Sequence, residues 1–228
     1  MRIFAKRIAL VAVLALGALL PGICAAAASA SDVPVYKPPP RGAPSGRVGM
    51  GTRGAHPPPQ IWALAPDHTG LTTHDQPSLY WYASKPVAAR IEITAAGKYG
   101  VTTIFETHVT SPAAGGVQKV DLAHYGIRLQ PGIEYRWSVA LESDPRQRSN
   151  SAAIERIAPS QHLTKRIEES PRAKQAAAYA EEGIWYDAIA SLGELIERSP
   201  DDVALRTQRA ALLEQVGLKE AAAGDVRR

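Results

Sequence analysis

Residues 129–141, Leu-Gln-Pro-Gly-Ile-Glu-Tyr-Arg-Trp-Ser-Val-Ala-Leu, restrict the fold more than any other part of the chain. After the Pro131-Gly132 turn, Ile133, Tyr135, Trp137, Val139 and Leu141 recur at every second position, with Glu134, Arg136, Ser138 and Ala140 between them. Side chains alternate across a strand, so the pattern predicts a β-strand with one apolar and one mostly polar face. Burying five such side chains contributes roughly 7–15 kcal/mol before ordering entropy is subtracted. A folded β domain must therefore surround this stretch.

Residues 1–30 read as a secretory leader. Arg2, Lys6 and Arg7 form a positive end, residues 8–20 an uncharged apolar run, and Ala28-Ser29-Ala30 a small-residue cleavage site. Cleavage is expected after Ala30. The apolar run is shorter than the roughly 20 residues of a membrane span, so the processed chain is not expected to cross a membrane. Cys24, the only cysteine, lies in the leader and follows Ile23, which is too large for a lipoprotein site. The processed chain would have no disulfide, thiol nucleophile or cysteine metal ligand. The leader holds three of the 26 basic residues and none of the 22 acidic ones, which leaves a balance of +1. Bulk charge therefore gives no support to nucleic-acid binding.

Residues 31–60 read as a flexible Pro/Gly-rich linker, with Lys37-Pro38-Pro39-Pro40 and His56-Pro57-Pro58-Pro59 favouring extended geometry. Gly49-x-Gly51-x-x-Gly54 matches a dinucleotide loop, but neither the strand before nor the helix after that such a loop needs is present. Arg41, Arg47 and Arg53 in this basic segment are candidate contacts to an anionic envelope polymer or a partner.

Residues 61–158 carry about seven short strand signals separated by turns. Leu79, Trp81 and Ala83 alternate with Ser78, Tyr80 and Tyr82; Ala89, Ile91 and Ile93 follow the same beat; residues 103–109 and 117–122 are further strands, and residues 152–157 a last edge strand. The pattern predicts a mainly β fold with α, an antiparallel β-sandwich of immunoglobulin or fibronectin type. Tyr135, close after Pro131-Gly132, suits a corner tyrosine whose hydroxyl bonds back to upstream backbone. Trp81 and Trp137 are expected in the core. Tyr80 and Tyr82 share the opposite face, either as a contact surface for a partner or glycan or beneath the C-terminal helices.

Residues 160–228 change character. A proline-free, alanine-rich run over residues 172–198 is interrupted at Gly183, and Ser199-Pro200-Asp201-Asp202 stops it and caps a helix from Val203. Gly183-Ile184-Trp185-Tyr186-Asp187-Ala188 recurs in reduced form as Gly217-Leu218-Lys219-Glu220-Ala221-Ala222. The offset from Gly183 to Gly217 equals the period of a tetratricopeptide repeat. With Tyr179, Ala188 and Pro200 in place, the segment resembles such a repeat as a short helical hairpin. One and a half repeats cannot bury their own apolar face, so the helices are expected to dock on the sandwich or on a partner protein.

The chain also resembles the bacterial family called domain of unknown function 928. Arg47-Val-Gly-Met-Gly-Thr-Arg-Gly54, Leu64-Ala-Pro66, Gly70-Leu-Thr-Thr, Ser78-Leu-Tyr-Trp-Tyr82, Tyr125-Gly126, Pro131-Gly-Ile-Glu-Tyr-Arg-Trp137, Gly183-Ile-Trp-Tyr-Asp-Ala188 and Pro200-Asp-Asp202 carry the likeness, which runs from about Pro38 to Ala222. Members often have a cysteine after the glycine-arginine motif; here Ala55-His56 stands in its place. The resemblance implies an exported protein and brings no activity.

Asp67-His68 and His74-Asp75 bracket a turn-rich loop and have ligand chemistry, but neither pair has helical ligand spacing. No Gly-x-Ser-x-Gly elbow or His-Glu-x-x-His occurs. No cofactor or metal is expected. The function that follows is a non-enzymatic exported protein, periplasmic or secreted, that serves as a binding or scaffold module for an envelope protein partner. The alternatives are an envelope polysaccharide or peptidoglycan binder, and a hydrolase with a site built from loops.

Overall fold

A computed structural model describes residues 33–40, 58–97, 100–112 and 114–227. The leader with its cleavage position, and Arg41, Arg47 and Arg53, lie outside the described residues. Eight strands precede five helices: β1 (Ile61–Ala63), β2 (Gly70–Thr72), β3 (Ser78–Ala83), β4 (Ala88–Gly97), β5 (Gly100–Thr110), β6 (Gly116–Asp121), β7 (Glu134–Leu141), β8 (Ala152–Arg156), α1 (Gln161–Glu169), α2 (Arg172–Glu181), α3 (Trp185–Arg198), α4 (Val203–Gln215) and α5 (Lys219–Val226). The strands form a three-stranded sheet, β1-β3-β6, and a five-stranded sheet, β2-β8-β7-β4-β5. The fold is mainly β with α.

β7 has the alternation expected of it. Tyr135, Trp137, Val139 and Leu141 are buried, and the strand is paired on both sides, with β4 and β8. Ile133 departs from the expectation at 41% exposed, because it lies in the turn ahead of the strand. Gly132 in that turn has φ +72°, where a side chain would be strained. The Tyr135 hydroxyl accepts the Gln130 backbone N–H at 3.1 Å, so the corner is closed by a side chain.

Three expectations are corrected. The arrangement is not wholly antiparallel, because β2 pairs parallel with β8. Residues 152–157 do not form an edge: β8 lies between β2 and β7. The helical part is larger than one hairpin. α2–α3 and α4–α5 form two hairpins that turn at Gly183 and Gly217, each with φ +75°. Backbone bonds repeat with the same offset: Ile184 N–H to Tyr179 O and Leu218 N–H to Leu213 O are both 2.9 Å. Asp202 caps α4 by accepting the Ala204 N–H at 2.9 Å, and Ser160 caps α1 through the Leu163 N–H at 3.0 Å.

The helices cover the three-stranded sheet. Leu79 and Trp81 of β3 belong to the same core as Ile91, Ile93, Trp137 and Val139 of the five-stranded sheet. Tyr80 and Tyr82, at 3% and 8% exposed, point the other way. Their rings meet Gly193 of α3 and Gly224 of α5, where an added Cβ would overlap the phenol. Residues 33–40, in the stretch expected as linker, are packed against the helices. Gln215 accepts the Tyr36 N–H at 2.8 Å and donates to Pro34 O at 2.9 Å, and the Lys37 N–H reaches Ala180 O at 3.0 Å. Tyr36 also stands edge-on to Trp185, with centroids 5.0 Å apart.

Candidate functional site

The first turn of α3 aims three consecutive side chains at the β half. Trp185 Nε1 donates to Leu64 O at 2.9 Å. The Tyr186 hydroxyl accepts from Trp137 Nε1 at 2.9 Å and donates to Ala153 O at 3.0 Å. Burial pushes the Tyr186 phenol pKa upward, and the bond from Trp137 opposes the shift. Asp187, 4% exposed, accepts Thr72 Oγ1 on Oδ1 at 2.5 Å. Its Oδ2 accepts the Thr73 N–H at 2.9 Å and Thr73 Oγ1 at 2.5 Å. A carboxylate in the first turn also suits the positive end of the helix dipole. Gly70 begins β2 close to the Tyr186 ring; a Cβ there would come within 2.7 Å of it. Strand β2 is thus tied to α3 by shape as well as by hydrogen bonds.

Beside this junction lies a cleft of about 420 Å³, between the β2–β3 connection and helices α2 and α3. Asp187 and Tyr179 form its floor, His74 and Gln76 one wall, and Arg172, Gln175, Glu194 and Arg198 the helical wall. His74, with its side chain 57% exposed, holds Nδ1 3.4 Å from Asp187 Oδ2. Burial, then the Asp187 charge, pushes the Tyr179 phenol upward, and a hydrogen bond with Thr73 opposes this. Arg198 is 3.7 Å from Glu194 across one helical turn, an exposed pair. Such a pair contributes little to stability, which leaves the guanidinium able to exchange partners. The Asp187 oxygens accept three hydrogen bonds, which fix Thr72 and Thr73 against the first turn of α3 beside His74. Two guanidinium groups (Arg172, Arg198) and three carboxylates (Asp121, Asp187, Glu194) line the cleft with imidazole, amide and phenol groups, a mixed lining that can hydrogen-bond a polar segment.

The residues expected to bind do not meet at this cleft. Tyr80 is sealed under α3, and its hydroxyl has no hydrogen-bond partner among the described residues. Tyr82 is largely covered by α5, its edge lining a separate open depression with Gln60, Lys219 and Arg227. Neither offers the exposed ring face that a contact surface needs; the reading beneath the helices is the one the geometry matches. The two Asp–His pairs separate. His68 Nε2 bonds the Tyr36 hydroxyl at 2.9 Å and its Nδ1 lies 3.2 Å from Asp67, whereas Asp75 pairs with Arg128 and only His74 reaches the cleft. The sequence reading missed Asp187, Thr72, Thr73, Tyr179, Arg172 and Arg198. A signal for one was present: Asp187 stands alone as a charge in the apolar run Gly183-Ile-Trp-Tyr-Asp-Ala188.

Two β-sheets sharing one core, with a repeated helical pair laid over the smaller sheet, define the class of protein. The chain belongs to the family described as Domain of Unknown Function (DUF928), whose model matches residues 48–226. Comparison with curated proteins finds no match. The Leu64-Ala-Pro66, Gly70-Leu-Thr-Thr, Pro131-to-Trp137 and Gly183-to-Ala188 stretches, far apart in sequence, converge at the α3 junction through the Trp185, Tyr186 and Asp187 bonds. Among the described residues no helix is long and apolar enough to cross a membrane.

Proposed function

We propose that the protein is an exported, non-enzymatic module of the cell envelope, periplasmic or secreted, that binds a partner protein through the cleft beside Asp187. Export rests on the leader pattern of residues 1–30, with cleavage after Ala30. In this reading the β part is a sandwich of immunoglobulin or fibronectin type, supported by the Tyr135 corner bond. The helices are a tetratricopeptide-like segment, supported by the repetition of turn geometry from Gly183 to Gly217.

The carrying observation is the hydrogen bonding of Asp187. The buried carboxylate of the cleft accepts three hydrogen bonds from Thr72 and Thr73, which supports a role in holding the recognition surface in shape. Arg172 and Arg198 then meet carboxylates of a polar segment of the partner, while Asp121 and Glu194 accept from its donors. The test is capture from envelope extract on the immobilised protein, compared with an Arg172→Glu, Arg198→Glu double variant of unchanged circular dichroism. A defined protein retained by the native chain and lost by the variant supports the reading. Equal capture by both, or retention on insoluble glycan alone, contradicts it.

A further inference from the structure

Among the described residues β5 is the longest of the strands that end a sheet. β5 is 11 residues long, ends the five-stranded sheet and pairs only with β4. Among the described residues no strand or bridge lies on its other side. Its sequence, Gly-Val-Thr-Thr-Ile-Phe-Glu-Thr-His-Val-Thr, is β-branched and aromatic and contains no proline or lysine, the residues that usually blunt such an edge. Val101 and Ile104 on it are exposed.

The register breaks between Ile93 and Thr94, whose partners are Phe105 and Thr103, so Ile104 is an extra, bulged residue. A bulge interrupts the regular spacing of backbone donors and acceptors. The uninterrupted ladder is therefore the part from Phe105 to Thr110. Within it Phe105 faces the core, opposite Ile93 and 4.9 Å from the Tyr125 ring, and Val109 follows on the same side. Glu106 and His108 face out, evenly placed about Thr107. Within the chain Glu106 lies 3.5 Å from Arg90 and His108 bonds Glu142 through Nδ1 at 2.7 Å, so pairing with a second copy falls to the Nε2 side of the ring and to a carboxylate shared with Arg90.

That placement is self-complementary. Antiparallel pairing of β5 with the same strand of a second copy, about a two-fold axis at Thr107, sets Glu106 opposite His108 of the second copy, twice. It also sets Phe105 opposite Val109 on the core face, twice. Centring on Glu106 instead opposes two like carboxylates, which is unfavourable. An isologous contact of this kind closes after two subunits. We propose that β5 is the interface of a homodimer, centred on Thr107, in which the two five-stranded sheets continue into each other. This contact is independent of the cleft.

The test combines mass and register. In a Cys24→Ser background, which removes the only native cysteine, Thr107→Cys places two cysteines across the axis. Directly opposed Cα atoms in an antiparallel pair are about 4.5–5.5 Å apart, within disulfide range. Light scattering on the purified protein is expected to show twice the monomer mass, and mild oxidation to cross-link Thr107→Cys but not Thr103→Cys. Glu106→Lys, folded by circular dichroism, is expected to weaken dimerisation at least tenfold. A monomer at about 100 µM, a dimer that does not cross-link at 107, or equal cross-linking at 103 and 107 would overturn the proposal.

Discussion

Gly193 of α3 lies directly against the ring and hydroxyl of Tyr80, and that hydroxyl is buried without a hydrogen-bond partner among the described residues. The contact works by shape: the glycine makes a notch and the phenol fills it, as Tyr82 does at Gly224. Gly193→Ala is expected to lose about 1–3 kcal/mol, because the added methyl overlaps the buried Tyr80 phenol and one of the two must shift. Tyr80→Phe is expected to be neutral or stabilising, since it removes a buried polar group that gains no bond on folding. Urea midpoints of both variants check this pair of opposite outcomes.

Asp187 anchors α3 to β2. Asp187→Ala leaves the Thr72 and Thr73 donors without their acceptor in a buried place. The expected loss is about 2–5 kcal/mol, with a smaller loss for Asp187→Asn, which keeps one acceptor oxygen. Denaturant titration with an unchanged slope would show that stability, not the extent of folding, has moved.

Arg209 of α4 and Asp225 of α5 form a two-pronged buried pair, with Nε–Oδ2 at 2.7 Å and Nη2–Oδ1 at 2.6 Å. Removing one partner strands the other's charge, so Asp225→Ala is expected to cost about 3–5 kcal/mol. The double variant Arg209→Met, Asp225→Leu should recover most of it. A double-mutant cycle on thermal unfolding measures the coupling.

Alkaline pH should destabilise the protein. Burial raises the phenol pKa of Tyr36, Tyr80 and Tyr186, with nearby carboxylates adding to the shift at Tyr36 and Tyr80. An unfolded chain releases these protons near the ordinary value of about 10, while the folded chain retains them. Their contribution is therefore complete below about pH 10 and falls as pH rises further. Urea midpoints between pH 8 and 11.5 should decline at the alkaline end, and Tyr80→Phe should decline less steeply.

β7 was legible because a half-buried strand writes its burial as a two-residue alternation. Ser199-Pro200-Asp201-Asp202 was legible because capping is local chemistry. β2 was not: so short a strand cannot establish a period, and its partner β8 is the last strand of the chain, with five others between them. Tyr80 and Tyr82 alternate correctly with Leu79 and Trp81, yet periodicity cannot say what covers the second face; Gly193 and Gly224 do. The prolines of residues 33–40 suggest a linker, although Pro34 and Tyr36 alternate with the exposed Val33 and Val35 in a strand-like beat. The cleft was hidden for a related reason. Its residues come from several separate elements, and only Asp187, a lone charge among apolar neighbours, marked the place in one dimension.

The most direct test of whether helices and sheets form one cooperative body is native-state amide hydrogen exchange on the full chain, comparing α3 with β7. Buried amides of both elements should open with the same free energy, and Asp187→Ala should lower both by the same amount. Early exchange of α3 with β7 still protected would contradict this, because the helices would then be an appendage of the sheets.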